Sequence, residues 1–311
     1  MIKRISMIAL AFILALNIGS ASSVKAAENN NEDSINEKFG LPIVVLGGSL
    51  NDSQKAEVRE LLGVTNPEMV EEVTVTGEDL VRYIEGEDRN ARMYSSAKIT
   101  REEEGKGLVI ERVTPENITE VTDTMYANAL LTAGIENATV EVASPIKVSG
   151  HSALTGIYKA YEVSGETLDT ARLEVANDEL NLATDLVNEE GIEQEKVSEL
   201  LAEIKQQIAD QKPASREEIE AIIEEQLNNL NINLSAEDRQ RLTDLFEQMR
   251  NLNINFDNVQ EQLGQLSNTI QEKLSEVVDN EGFWQGVKDF FQGIMDAISG
   301  VFGGSEDEST N

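Results

Sequence analysis

A mixed α/β (α+β) N-terminal domain followed by an all-α helical C-terminal domain is the fold class predicted by three observations. Short β-rich runs alternate with helical apolar spacing across residues 40–165. Beyond Gly165 the strand signals stop, and apolar residues recur at helical intervals as far as residue 302. A chain of 311 residues, 40% hydrophobic, is ample for a sizeable buried core and favours more than one domain.

The chain opens with the pattern of a secretory signal peptide over residues 1–26. Lys3 and Arg4 form a positive start, Met7 to Leu16 is an apolar run of ten, and Val24-Lys25-Ala26 offers a small-residue cleavage site. The run is too short to cross a bilayer comfortably. The mature chain is therefore expected to begin near Ala27, secreted and either extracellular or loosely wall-associated. Residues 27–39 are polar and aperiodic and read as a flexible lead-in.

In the mixed domain, Ile43–Leu46 predicts a strand closed by Gly47-Gly48, followed by a helix with Val58, Leu61 and Leu62 on its apolar face and Gly63 as its stop. Val73–Thr76 predicts a second strand, and Leu80, Val81 and Ile84 a short helix. Met93–Thr100 and Leu108–Val113 read as a hairpin joined by the charged turn Glu103–Gly107. Thr122 is placed to cap a helix carrying Met125, Tyr126, Ala129 and Leu130, which stops at Gly134. A strand over Thr139–Ala143 and a helix over Ser152–Tyr161 complete the domain. The order helix, Gly-Val/Ile, strand, hydroxyl-Gly occurs at 61–77 and again at 133–150, which suggests an internal duplication.

Helices are expected in the second domain near 168–188, 192–210, 216–230, 236–250, 258–278 and 283–302. Capping boxes mark three of them, at Ser215…Glu218, Ser235…Asp238 and Asp257…Gln260. The connector Asn-Leu-Asn-Ile-Asn-Leu at 229–234 recurs as Asn-Leu-Asn-Ile-Asn-Phe at 251–256, its alternating apolar side chains suited to tucking beneath a bundle. Residues 303–311 form an acidic tail.

Charge narrows the partners. The full chain has 25 basic and 58 acidic residues, and removing the leader takes three bases and no acid, leaving a net charge of −36. Such a surface repels nucleic acid and anionic headgroups, so nucleic-acid binding is not expected. There is no cysteine, which removes disulfides, thiolate catalysis and a lipid-modified cysteine anchor.

Several segments taken together carry a resemblance. They are Leu46-Gly47…Leu50, Ser95-Ser96-Ala97-Lys98-Ile99, Asn117-Ile118-Thr119, the run Met125–Gly134, and the run Ser149–Glu162. In this order they resemble the YpuA-like family of exported proteins from Gram-positive bacteria, the domain of unknown function DUF1002. The resemblance implies an extracellular or wall-associated protein and brings no catalytic residues.

Candidate chemistry is sparse. His151 is the only histidine, so paired-imidazole metal sites are impossible, and Ser149 or Ser152 lies too near in sequence for a convincing nucleophile. Gly47-Gly48-Ser49 is a candidate anion loop but lacks both phosphate-loop and dinucleotide patterns. Ser149, Gly150, Thr155 and Gly156 concentrate small and hydroxyl residues at a helix start; they form a candidate loop site, with close backbone packing as the competing explanation. No cofactor, metal or catalytic residue is assigned, and no calcium-loop motif is present.

The final amphipathic helix is a candidate interaction surface. Phe283, Trp284, Val287, Phe290, Phe291, Ile294, Ile298 and Phe302 share one face. Core packing, a protein partner and a membrane surface compete for that face. Lys288 against Asp289 and Asp296 suits a membrane poorly. Together these observations predict a secreted, non-enzymatic envelope or extracellular binding protein. A carboxylate- or metal-dependent hydrolase and a membrane-docking protein are the alternatives.

Overall fold

The computed structural model describes residues 38–252 and 254–263. The leader, most of the lead-in, the helix proposed at 283–302 with its candidate surface Phe283, Trp284, Val287, Phe290, Phe291, Ile294, Ile298 and Phe302, and the acidic tail lie outside the described residues.

A five-stranded sheet is built from β1 (Ile43–Gly47), β2 (Glu71–Val75), β3 (Ser96–Arg101), β4 (Leu108–Arg112) and β5 (Ala138–Ala143). Their spatial order is β2-β1-β3-β5-β4. β1 runs parallel to β2 and β4 parallel to β5, while β3 runs antiparallel to both of its neighbours, β1 and β5. Between the strands lie α1 (Asp52–Leu61), α2 (Gly77–Tyr83) and α3 (Asp123–Ala133), and α4 (Ser152–Val163) follows β5. Then α5 (Thr170–Asn188), α6 (Gln194–Gln211), α7 (Arg216–Asn229) and α8 (Ala236–Asn251) follow, without further strands among the described residues. The mixed α/β half followed by a helical half is thus the observed architecture.

The predicted hairpin does not form. β5 is inserted between β3 and β4. The turn is real, with Gly105 and Gly107 at positive φ, but it is clamped to another segment. Asn137, itself at φ 49°, accepts hydrogen bonds on its side-chain oxygen from Gly105 N at 2.9 Å and Gly107 N at 3.1 Å. Those bonds bring the residue preceding β5 to the turn, so β5 enters between the two strands that the turn joins.

The two sheet faces are covered unequally. Val44 and Leu46 of β1 pack with Leu50, Val58 and Leu62 of the α1 region. Ile43 and Val45 face the opposite side, where Ala97, Ile99, Val140 and Val142 join α3 and α4 in the large core. The sequence echo therefore corresponds to two β-α-β-α units, but α1 and α3 cover opposite faces, so the second unit is not a copy of the first.

That large core continues through Leu173, Leu180, Leu200, Ile204, Ile222 and Phe246 into the helical half without interruption. Ser215 and Ser235 cap α7 and α8 as expected, accepting from Glu218 N and Asp238 N. Thr122 caps α3 and Gly134 ends it in the left-handed conformation. The helix over residues 256–263 begins earlier than the sequence suggests, and Asn255, not Asp257, accepts from the backbone at its start. In the connectors, Ile232, Leu234, Ile254 and Phe256 are all buried, as their alternation predicts.

Candidate functional site

The carboxyl ends of β1, β2 and β5 and the amino end of β3 meet at one edge of the sheet. In open α/β sheets, ligands bind outside that edge. Here it carries a cleft of about 430 Å³, lined by the loop before β3 (Arg92, Met93, Tyr94), the start of α4 (Ser149 to Ser152, Thr155) and α5 (Asn177, Asn181). The volume falls in the range of small-molecule sites.

Three of the four predicted loop-site residues, Ser149, Gly150 and Thr155, line this cleft. Gly156 does not. It sits beneath the sheet, where an added Cβ would lie 3.2 Å from Val45 Cγ1, so its role is close helix-to-sheet packing. The Gly47-Gly48 pair is also a packing device: a Cβ on Gly47 would stand 2.5 Å from the Met93 carbonyl oxygen. Ser49 is held to the same strand-entry loop, its hydroxyl accepting from Met93 N at 3.0 Å.

Gly150 is fixed twice over. Its φ of +111° lies where L side chains are strained, and its carbonyl accepts the Tyr126 hydroxyl at 2.6 Å. Burial pushes that phenol far above its ordinary range, so it remains a donor. The start of α4 is thereby pinned to α3, and no side chain caps its first turn.

The polar wall on the far side comes from α5. Asn177 is 7% exposed and lines the cleft, yet its carboxamide has no hydrogen-bond partner among the described residues. Asn181, one turn further on, also lines the cleft without a side-chain partner among them. Met93, Leu80, Val148 and Tyr94 supply apolar surface. Sequence reasoning missed the α5 contribution. The available signal was a pair of asparagines at i and i+4 interrupting the apolar stripe Leu173, Ala176, Leu180, Ala183.

His151 lies in the same lining, but its Nε2 is 3.2 Å from Thr184 Oγ1 and not against a serine hydroxyl. Burial lowers its pKa from the usual value, outweighing the opposing pull of Glu120, Asp185 and Glu87. The folded state therefore holds the ring neutral more firmly than the unfolded chain does. Below the unfolded pKa of about 6.5 the unfolded chain binds the extra proton, so this contribution is present above that pH and is lost as pH falls towards the folded pKa. Wild type should lose stability relative to His151→Gln as pH drops from 7.5 to 5, with a slope of at most about 1.4 kcal/mol per pH unit. Urea midpoints of both proteins across that range check this; a constant difference would show that the ring titrates alike in both states.

No cluster of three or more His, Cys, Asp or Glu suited to a metal occurs among the described residues. Among those residues no helix is long and apolar enough to cross a membrane.

Residues 46–266 match the family model described as protein of unknown function, DUF1002. The chain is also 35% identical over 266 residues to the uncharacterized protein YpuA of Bacillus subtilis (strain 168), covering 84% of this chain and 89% of that protein. No solved structure matches it.

Proposed function

The chain belongs to the DUF1002 family, and from that premise we propose that it is a secreted, non-enzymatic binding protein. Its cleft takes a small envelope-derived ligand rich in hydroxyl and amide groups, such as an N-acetylated amino sugar with its attached peptide. The leader-like residues 1–26 support export.

The observation that carries the reading is the Asn177 carboxamide, nearly buried at the cleft wall with no partner among the described residues. The amide is not among the unpartnered polar atoms cut off from solvent, so it faces the open cleft, where a ligand can reach and satisfy it. Asn181, Ser149 and Thr155 add donors and acceptors around it, and Tyr94 adds an aromatic surface. That mixture of a few convergent polar groups on an apolar lining is how small-molecule sites fix orientation. The engagement of His151 with Thr184, away from any serine hydroxyl, favours binding over hydrolysis.

Calorimetric titration of the mature chain with muramyl dipeptide and with N-acetylglucosamine oligomers tests the proposal. Binding is expected for at least one, weakened tenfold or more by Asn177→Leu with little change in melting temperature, in line with about 1.5 kcal/mol for a lost hydrogen bond. Absence of heat with both ligand classes, or binding untouched by Asn177→Leu, overturns it.

A further inference from the structure

Where α3, α5 and α6 meet, three side chains that can react with one another are enclosed together. Asn128 on α3, Glu179 on α5 and Lys205 on α6 are 0%, 1% and 0% exposed. Lys205 Nζ lies 2.5 Å from Glu179 Oε1. It also donates to Asn128, to the backbone oxygen at 2.9 Å and to the side-chain Oδ1 at 3.2 Å. Asn128 Nδ2 donates to Thr124 O at 3.1 Å, which fixes the plane of the carboxamide.

Thr132 completes the arrangement. Its Oγ1 is 2.6 Å from Glu179 Oε2 and 3.0 Å from Asn128 O. A hydroxyl has one hydrogen, so these contacts serve two protonation states. With Glu179 ionised, Thr132 donates to it. With Glu179 protonated on Oε2, the acid donates to Thr132, whose own hydrogen turns to Asn128 O, and Lys205 becomes a neutral amine. Thr132 keeps a partner either way, while Glu179 Oε1 meets Lys205 only as an ion-pair contact and accepts no hydrogen bond. Burial lowers the Lys205 pKa, which eases access to the neutral amine, though Glu179 opposes that shift.

The geometry points to an intramolecular isopeptide bond between Lys205 Nζ and Asn128 Cγ, formed after folding with Glu179 as the proton carrier. The neutral amine attacks the carboxamide carbon; the Nζ–Cγ bond forms and the Cγ–Nδ2 bond breaks. One hydrogen passes from Nζ through Glu179 to Nδ2, which leaves as ammonia, and Glu179 ends as the neutral acid it was before attack. No oxidant or other reactant is consumed. Fixed proximity in a water-poor site supplies what a free amine and amide lack in solution. The bond ties α3 to α6 across 77 positions of sequence.

Intact-mass spectrometry of the mature chain, purified folded and then denatured, tests this directly. The expected mass is lower than that of the sequence by one ammonia. Trypsin should yield Val113–Lys147 joined to Val197–Arg216, with cleavage blocked at Lys205. Lys205→Arg, Asn128→Ala and Glu179→Gln should each show the full mass of their own sequence. Asn128→Asp should close the same bond by losing water instead. A folded wild-type chain of full mass overturns the proposal, since the three groups are then only an ion pair with its hydrogen bonds, and that result depends on no variant folding. A bond that forms as readily in Glu179→Gln overturns the role given to the acid.

Discussion

Replacing Glu179 with alanine is expected to lower the free energy of unfolding by about 3–5 kcal/mol at neutral pH, read from urea denaturation followed by circular dichroism. The loss arises because Lys205, 0% exposed, is left with only the two oxygens of Asn128 as acceptors. A buried cation without its counter-charge must either stay charged at high cost or give up its proton. Thr132 loses a partner at the same time. The double variant Glu179→Leu/Lys205→Met removes both charged groups and should recover the larger part of this penalty, as apolar replacements of buried pairs commonly do. A covalent tie between residues 128 and 205 would be absent from both variants. Its loss would add the same penalty to each by restoring freedom to the unfolded chain, much as breaking a disulfide does, and the recovery is read as the difference between the two. A single-variant loss under about 1 kcal/mol would mean that the pair behaves as an exposed one.

Alanine at Gly150 is the other large expected effect. The added methyl would lie 2.7 Å from both Ile118 Cγ2 and the Tyr126 hydroxyl, on a backbone held at φ +111°. Strained backbone and overpacking each cost about 1–3 kcal/mol, so a combined loss of about 3 kcal/mol or more is anticipated. Tyr126→Phe supplies the comparison: it removes the hydrogen bond to Gly150 O and leaves the glycine free, and should cost only about 1 kcal/mol. Since Gly150 lies in the cleft wall, Gly150→Ala should also disturb binding in any ligand titration, whereas Tyr126→Phe should leave most of it. Equal losses in the two variants would show that the hydroxyl contact, and not the backbone at Gly150, holds the turn.

The helices α5 to α8 were legible in the sequence because their signals are local. Spacing of Val197, Leu200, Leu201 and Ile204 reports one face, Ser215 and Ser235 report starts, and α5 to α8 fall within two residues of expectation. Strand positions were legible for the same reason. Strand pairing was not, because the turn at Gly105 and Gly107 carries no trace of its bonds to Asn137. The cleft shows a similar division. Ser149, Gly150 and Thr155 announce themselves as small and hydroxyl residues at a helix start. Asn177, Asn181 and Arg92 reach the same space from α5 and the loop before β3, and only the packing of α5 over the sheet edge makes them neighbours. The Asn128, Glu179 and Lys205 network lay hidden for the same reason. Each residue reads alone as an ordinary polar position on a helix, and their meeting depends on how three helices pack.

The interior position of β5 also sets a timetable for the chain. β5 is the last of the five described strands to be synthesised, yet it supplies a hydrogen-bonding edge to both β3 and β4. Until residue 143 is available, β3 is paired only on its β1 side and β4 has no partner at all. Such edges invite pairing with other chains. A ribosome-bound segment ending at the Gly105 turn therefore lacks the strand that joins β3 to β4. In the finished sheet Asn137 holds the turn and β5 fills the gap between the two strands the turn joins.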